Sequence, residues 1–196
     1  MKPIERPKLT FPEAEAQLVA LAYGEAGVIL EYGSGGSTVL AAEMAGKRVF
    51  SVESDPDWLA MMQGYFAQNP PAAKLTLQLG DIGPTKSWGF PKGEQDFRKW
   101  PEYPLAVWDL SEFEAPDVVL IDGRFRAACF LAVLFRIKKP TLVLWDDYTE
   151  RREYHAIEEL VKPSEIVGHM ALFELLPMAV PPERLLWIIQ TFMRTR

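Results

Sequence analysis

The stretch that decides the fold runs from Val28 to Thr38 and reads Val-Ile-Leu-Glu-Tyr-Gly-Ser-Gly-Gly-Ser-Thr. It begins as a short apolar run and continues as a Gly/Ser-rich segment, which is typical of a buried strand that ends in a tight turn. From about residue 37 to residue 45, Leu40 and Met44 lie four positions apart and Gly46 follows, which predicts a helix with a glycine stop. A strand, a glycine-rich turn and a helix in this order predict the opening step of an α/β sheet.

The same alternation continues along the chain. Asp55-Pro56-Asp57 has the composition of a helix start, with a capping aspartate, a proline in the first turn and an acid near the positive helix end. The apolar run that ends at Ile121 is typical of a strand buried on both faces of a parallel sheet. Further strands are predicted at 48–52, 74–79, 117–121 and 141–145, and further helices at 56–68, at 126–138 and around Tyr154, Ile157 and Val161.

The tail of the chain has a different pattern. Two strand-like runs, at about Glu165–Leu175 and Leu185–Phe192, are joined by a proline-containing segment that is too short for a crossover helix. These two strands are therefore expected to be antiparallel. The whole pattern predicts one α/β domain over residues 1–196, with a doubly wound, Rossmann-like sheet of seven strands that is mostly parallel and has a terminal antiparallel hairpin.

Composition narrows the functional class. The 196 residues are 48% hydrophobic and 24% charged, which is typical of a globular domain. With 21 Lys and Arg against 27 Asp and Glu the net charge is −6, which argues against binding to nucleic acid through phosphate contacts. No run reaches the ~20 apolar residues of a membrane span, and the first residues have no apolar signal core. One cysteine excludes an internal disulfide framework and a multi-cysteine zinc site. We expect a cytoplasmic enzyme or small-ligand binder, with the oligomeric state open and a homodimer included.

One long irregular region, residues 81–104, is rich in Gly and Pro and carries Trp88, Phe90, Trp100 and Tyr103. Long loops inside compact domains are usually either functional or disordered. The aromatic residues favour an ordered lid or substrate wall, and Trp88 is a candidate substrate contact.

The glycine-rich turn predicts a nucleotide-type cofactor when it is combined with Glu53. Glycines let a ligand approach the backbone closely, and Glu53 ends the second strand twenty residues after Gly33. An acid at that place is expected to accept the two ribose hydroxyls of an adenosine cofactor. A dinucleotide fingerprint would need glycine where the chain has Thr38. Glu31 would also repel a pyrophosphate, whereas it suits a cationic ligand with an amino group and a sulfonium.

In these residues the chain resembles the class I S-adenosylmethionine-dependent methyltransferases. Their pattern is matched by Glu31–Gly35, by Glu53 and by Gly80-Asp81-Ile82, and the resemblance spans roughly Ala26–Phe192. It implies that Glu31 holds the methionine amino group, that Gly33 and Gly35 pass close to the cofactor, that Glu53 holds the ribose and that Asp81 and Ile82 lie at the adenine. Asp81 could instead be a plain turn residue. The cofactor-binding candidates are Glu31, Tyr32, Gly33, Ser34, Gly35, Ser37, Thr38, Glu53, Asp81, Ile82 and Asp122.

Three carboxylates form a second candidate site. Asp122 follows one predicted strand, and Asp146 and Asp147 follow the next, so all three meet at the edge of the sheet where ligands bind. Carboxylates this close repel one another unless a cation lies between them, and Mg²⁺ is a suitable ion. The three are the candidate catalytic residues. The alternative is that Asp122 is an ordinary strand-end acid and that the Asp146-Asp147 pair caps the next helix.

The carboxylate pattern is similar to that of the macrocin-type metal-dependent O-methyltransferases, whose Asp-Gly-Asp and Asp-Asp-Tyr motifs supply metal ligands. Asp122-Gly123 and Asp146-Asp147-Tyr148 match in part, and the resemblance implies a metal at Asp122, Asp146 and Asp147. Arg124 stands where those enzymes have their second aspartate. Its guanidinium could replace the charge of the metal, or bind a substrate carboxylate or phosphate. Tyr148 is a further candidate substrate contact, with packing as the alternative.

The other polar residues give weaker indications of function. Arg126 is interpreted as a helix-surface ion pair and His155 as a solvated helical residue, with a general base as its alternative. His169 is interpreted as structural and Cys129 as a core residue.

Taken together, the residues predict methyl transfer from S-adenosylmethionine to a small-molecule acceptor, with a hydroxyl as the acceptor group. A metal would lower the pKa of a coordinated hydroxyl, and without one Asp146 or Asp147 would serve as base. Two alternatives stay open: a non-catalytic cofactor-binding or scaffold protein, and an NAD(P)-linked oxidoreductase.

Overall fold

The computed structural model describes residues 3–195. In that part of the chain the strands are β1 (Val28–Tyr32), β2 (Arg48–Glu53), β3 (Lys74–Leu79), β4 (Thr85–Lys86), β5 (Phe90–Pro91), β6 (Val118–Ile121), β7 (Thr141–Trp145), β8 (Glu165–Val167) and β9 (Met170–Leu175). The α-helices are α1 (Glu13–Glu25), α2 (Gly36–Ala42), α3 (Pro56–Gln68), α4 (Glu102–Leu105), α5 (Arg126–Arg136) and α6 (Leu185–Phe192).

Seven strands form one sheet in the order β3-β2-β1-β6-β7-β9-β8. The first five strands in this order are parallel, whereas β9 runs antiparallel to β7 and β8 antiparallel to β9. The predicted fold class, a doubly wound and mostly parallel seven-stranded sheet with an antiparallel hairpin, is confirmed. The strand order reverses between β1 and β6, and such a switch point opens a crevice at the carboxyl ends of the strands.

Local sequence explains the start of α3. The Asp55 carboxylate accepts hydrogen bonds from the backbone N–H of Asp57 at 2.9 Å and of Trp58 at 3.2 Å. Pro56 occupies the first turn, where a missing N–H costs nothing. The predicted helix start is therefore confirmed.

The placement of the terminal hairpin was predicted incorrectly. The run from Glu165 to Leu175 is not one strand, because Gly168 adopts φ +56° and splits it into β8 and β9. The predicted partner strand, Leu185–Phe192, is α6, which packs against α5 and buries Ile188 and Thr191. A continuous apolar run does not distinguish a buried strand from a helix, so the sequence pattern could not decide between the two elements here.

The segment after β7 also differs from expectation. The predicted helix is present as a 3-10 helix, Arg152–Glu159, which ends before Val161. Tyr154 and Ile157 are nevertheless buried, since a spacing of three residues places both on one side of a 3-10 helix.

The region 81–104 contains the β4–β5 hairpin and short helical turns. Its aromatic residues divide into two groups. Trp100 and Tyr103 are buried against Phe125, with ring centroids 5.6 and 5.7 Å apart, whereas Trp88 is 86% exposed. Among residues 3–195 no helix is both long and apolar enough to cross a membrane.

Candidate active site

A cavity of about 790 Å³ opens at the carboxyl ends of the central strands. Its volume is within the range of small-molecule sites. The cavity lies where the strand order reverses, as expected for an open α/β sheet. Several predicted site residues line it, namely Gly33, Ser34, Gly35, Ser37, Glu53, Trp88, Asp122, Arg124, Asp146 and Asp147.

The first turn of the cavity wall requires glycine. Gly33 has φ +103°, and a Cβ atom built on it would lie 2.7 Å from the backbone N of Gly123. A Cβ on Gly123 would in turn lie 2.1 Å from the Tyr103 hydroxyl. The turns after β1 and β6 are therefore packed backbone to backbone, which brings Asp122 next to the glycine-rich turn.

Glu53 ends β2 and faces the cavity with an ordered carboxylate. One oxygen accepts the backbone N–H of Ser54 at 2.6 Å and of Asp55 at 2.8 Å, and the other accepts that of Ser34 at 3.1 Å. Burial raises the pKa of Glu53, and the backbone donors oppose this rise. These contacts fix the direction of the carboxylate and leave it further lone pairs for other hydrogen bonds.

Other predicted cofactor residues lie outside the cavity wall. Glu31 has no exposed surface, and its Oε1 accepts the Tyr23 hydroxyl at 2.7 Å. Asp81 accepts the backbone N–H of Gly83 at 2.9 Å and pairs with Lys99 at 2.8 Å. Tyr32, Thr38 and Ile82 are buried. Their predicted cofactor contacts stay predictions.

An extended N-terminal segment, residues 7–12, forms one wall of the cavity. It lies directly on the start of α2, since a Cβ on Gly36 would be 2.2 Å from the carbonyl carbon of Lys8. An Arg6–Glu43 ion pair and a 3.2 Å hydrogen bond from the Ile4 N–H to Gln68 hold the segment in place. Sequence reasoning missed this segment because it carries no periodicity and no motif.

The three predicted catalytic carboxylates do come together, and Arg126 lies among them. Its guanidinium is 3.0 Å from Asp122, 3.6 Å from Asp146 and 3.2 Å from Asp147. It also donates to the backbone oxygens of Gly123 at 3.0 Å and Asp146 at 2.6 Å. The interpretation of Arg126 as a surface ion pair was wrong, because the residue is only 3% exposed.

Asp122 is the most accessible of the three, with 35% of its side chain exposed, against 8% for Asp146 and 25% for Asp147. Burial raises the pKa of Asp122 to about 8, with Arg126 opposing the rise and Asp146 adding to it. Asp147 is further held by Arg151 and has φ +56°.

His169 also lines the cavity, in the turn between β8 and β9. Its Nδ1 lies 3.1 Å from Oδ1 of Asp146, and its Nε2 lies 3.5 Å from the buried carboxylate of Glu15. Both atoms are buried, and apart from this contact neither has a hydrogen-bond partner among residues 3–195. His169 was interpreted as structural, and the tertiary structure adds that it borders the cavity.

Two of the three predicted Mg²⁺ ligands belong to a group of side chains that could hold a metal ion, and the third does not, so the Mg²⁺ site stays a prediction. Donor atoms of Asp146, Asp147 and His169 lie within 4.8 Å of one another, but Asp122 is not in that group. The guanidinium of Arg126 contacts all three predicted ligands and supplies the positive charge that they need. The guanidinium that contacts the three carboxylates is thus that of Arg126 and not that of Arg124.

The remaining candidates are placed as follows. Tyr148 is 2% exposed, and its hydroxyl donates to Glu158 at 3.0 Å. His155 lies outside the cavity wall, with Nε2 3.2 Å from the Tyr148 carbonyl oxygen. Cys129 is buried in the core of α5, as predicted. Arg124 lines the cavity, with its guanidinium 4.2 Å from the centre of the Phe90 ring.

The sheet order, the glycine-rich turn and the strand-end acids define the class I S-adenosylmethionine-dependent methyltransferase fold. Solved structures with this fold include the O-methyltransferase TomG of Streptomyces achromogenes in complex with SAM, with TM-score 0.58, 14% identity and coverage of 86% of this chain and 82% of that chain. The O-methyltransferase of Bacillus cereus in complex with SAH has TM-score 0.54, 15% identity and coverage of 87% and 84%. At these identities the likeness concerns the fold alone.

A methyltransferase-like protein from Silicibacter pomeroyi is much more similar. It is 49% identical with TM-score 0.91, and the match covers 96% of this chain and 98% of that chain. The chain belongs to the family of this methyltransferase-like protein, and it has the class I methyltransferase fold. No protein-family model matches the sequence, and no curated protein matches it.

Proposed function

We propose that the protein transfers a methyl group from S-adenosylmethionine to a hydroxyl of a small-molecule acceptor. The observation that carries this proposal is that Gly33, Gly35, Glu53 and Asp122 line one cavity at the switch point of the sheet. Gly33 and Gly35 were predicted together from the turn after one strand, and Glu53 and Asp122 each from its place at the end of another strand. The cavity volume of about 790 Å³ leaves room for a cofactor and a small acceptor together.

Different residues of the chain would bind different parts of the cofactor. The Glu53 carboxylate, oriented by three backbone N–H donors, would accept the ribose hydroxyls. The turn at Gly33 and Gly35 would let the cofactor approach the backbone closely. Glu31 is fully buried, so its proposed contact with the methionine amino group requires the side chain to become accessible.

Bound S-adenosylmethionine supplies an electrophilic methyl group on a positively charged sulfur. The acceptor oxygen forms the new bond to the methyl carbon, while the electron pair of the breaking carbon–sulfur bond stays on sulfur. The proton of the hydroxyl must pass to a base. Asp122 is the best placed of the three predicted acids, because it has the most exposed side chain and the turn at Gly33 packs against the turn that follows it. The protein otherwise contributes mainly alignment of the two reactants.

Calorimetric titration with S-adenosylhomocysteine tests the cofactor part. Micromolar affinity corresponds to about −8 kcal/mol. We expect binding to the wild type and an at least tenfold loss in Glu53→Gln, since a hydrogen-bonded charged group is typically worth about 1.5–3 kcal/mol. Glu25→Gln is the matched control, because Glu25 ends α1 outside the cavity wall. Equal affinity in both variants would contradict the role of Glu53.

A parallel titration with NAD distinguishes the methyltransferase proposal from the oxidoreductase alternative. We expect no heat of binding with NAD. Labelled S-adenosylmethionine then separates an enzyme from a non-catalytic binder. We expect transfer of the label to hydroxyl-bearing acceptors, whereas retention of label without transfer to any acceptor class would favour the scaffold alternative.

A further inference from the structure

Among the described residues that line the cavity, the guanidinium of one arginine has no protein group that matches its charge. The basic side chains in its wall are Lys8, Arg124, Arg126 and Arg151. Lys8 pairs with Glu5, Arg126 with the three aspartates and Arg151 with Asp147. Among the described residues, the Arg124 guanidinium makes no ion pair and no hydrogen bond to a protein acceptor. Its charge is therefore available to a ligand.

Arg124 is also held in place. Its backbone N–H bonds to the Tyr103 hydroxyl at 3.4 Å, and its carbonyl oxygen accepts the thiol of Cys129 at 3.4 Å. The guanidinium lies 4.2 Å from the centre of the Phe90 ring. Stacking on an aromatic face leaves the donor edge of a guanidinium free to bind an anion. The side chain is thus oriented without using its hydrogen-bond donors.

The environment makes an unmatched charge at this place unfavourable. Burial and the nearby charge of Arg126 lower the pKa of Arg124. α5 begins two residues further on, and the positive end of its dipole adds to the local potential. An anionic group would offset this positive charge, and carboxylates and phosphates match the fork of a guanidinium.

Residues with positive backbone φ also border this cavity. In the described part of the chain, the non-glycine residues with positive φ are Trp88 at 64°, Phe125 at 51° and Asp147 at 56°. Trp88 and Asp147 line the cavity, and Phe125 directly follows Arg124. Strained residues of this kind cluster at ligand sites, where the surrounding structure holds them.

We propose that Arg124, stacked on Phe90, is an anion-binding subsite for a carboxylate or phosphate of the bound ligands. This inference rests on the proposed function. The anion has two sources: an acidic group on the acceptor, or the carboxylate of the cofactor. Either source makes Arg124 a determinant of which molecules the cavity selects.

The first arm tests the acceptor. The protein with bound S-adenosylhomocysteine is titrated with benzoate and phenyl phosphate, and with benzamide as their neutral counterpart. We expect the anions to bind the wild type at least about tenfold more tightly than benzamide, which corresponds to about 1.4 kcal/mol. Arg124→Gln should abolish this difference, and Arg124→Lys should restore part of it because a lysine keeps the charge without the fork.

The second arm tests the cofactor. S-adenosylhomocysteine and 5′-methylthioadenosine, which lacks the amino-acid carboxylate, are titrated into the same variants. If Arg124→Gln weakens only the former by about tenfold, the carboxylate of the cofactor occupies the subsite. Arg98→Gln is the matched control, because Arg98 also faces an aromatic ring, that of Phe97, but lies outside the cavity wall.

Unchanged binding of all probes in Arg124→Gln would overturn the subsite. The proposed function fails differently, through a wild type that does not bind S-adenosylhomocysteine. In that case the benzoate and benzamide titrations on the unliganded protein still decide whether Arg124 binds an anion.

Discussion

The Nη2 atom of Arg126 lies 3.0 Å from Oδ1 of Asp122 and 3.2 Å from Oδ2 of Asp147. One buried guanidinium therefore bridges acids that follow two neighbouring strands, β6 and β7. Charges buried in this way are tolerated because they compensate one another. The positions of the acids that line the cavity therefore depend on Arg126, a residue that the sequence pattern alone predicted to lie on the surface.

Replacement of Arg126 by Met should destabilise the protein strongly. It removes the cation that three neighbouring carboxylates share, and of these only Asp147 keeps a second guanidinium partner, Arg151. Removal of one partner of a buried pair typically costs about 3–5 kcal/mol. Urea denaturation measures the effect. Arg136→Met on the same helix is the control, since its pair with Asp109 is partly exposed and is expected to contribute about 0–1 kcal/mol. Equal losses in the two variants would show that Arg126 does not compensate the acids.

The response to Mg²⁺ should depend on Arg126. In the wild type the guanidinium already supplies the positive charge, so we expect the same melting temperature with millimolar Mg²⁺ and with a chelator. In Arg126→Met the freed acids should bind the ion, and binding to the folded state raises the melting temperature. Stabilisation of the wild type by Mg²⁺, lost in Asp146→Asn, would instead support the metal site suggested by the motif.

The N-terminal segment should be sensitive to Gly36 and not to its neighbour. Gly36→Ala places a methyl group against the backbone of Lys8, so residues 7–12 must lift from α2. Gly35→Ala meets no atom within 4 Å and is the control. We expect faster hydrogen exchange in the segment only for Gly36→Ala. Exchange that is equally fast in both variants would mean that the segment does not depend on this contact.

Acid should reduce the stability that Asp117 contributes. Its carboxylate accepts the backbone N–H of Gly27 and of Val28, both at 2.8 Å, and pairs with Lys139. Burial acts to raise the pKa of Asp117, but Lys139 and the two donors outweigh it and lower the pKa. A folded pKa below the ordinary value means that the contribution is present above about pH 3.9 and is lost as the pH falls through the folded pKa.

The measurement is the unfolding free energy of the wild type and Asp117→Asn across this range. We expect the wild type to be more stable at pH 7, by about 1 kcal/mol, and the difference to close under acid conditions. Lys139→Met should remove part of the same difference. A gap that persists unchanged at low pH would exclude an electrostatic origin.

Local sequence patterns predicted much of the candidate site. Gly33, Glu53 and Asp122 each stand at the end of an apolar run, and parallel strands bring their carboxyl ends to one edge of the sheet. The topology alone therefore predicts that these residues meet. The helix start at Asp55 was predictable for a related reason, since its cap is made within three residues.

Residues that line the cavity but do not stand at the end of a parallel strand could not be predicted from a local sequence pattern. His169 arrives through the β8–β9 turn, and Lys8 lies in an extended segment without periodicity. Arg126 follows Arg124 by two positions, yet only packing decides that Arg126 pairs with the aspartates while Arg124 stacks on Phe90. The strand predicted at Leu185–Phe192 failed because a continuous apolar run is compatible with either element, and contact with α5 selected the helix.

By itself, the sequence determined the α/β class, the strand ends and the acids and glycines that stand there, because these depend on periodicity and on contacts between near neighbours. The tertiary structure decided which charges compensate one another, which side chains are buried and which segments close the cavity. Those outcomes depend on contacts between residues far apart in the chain, such as His169 with Glu15 and Lys8 with Gly36. The free energies of these contacts come from burial and charge pairing, which a local sequence pattern does not predict.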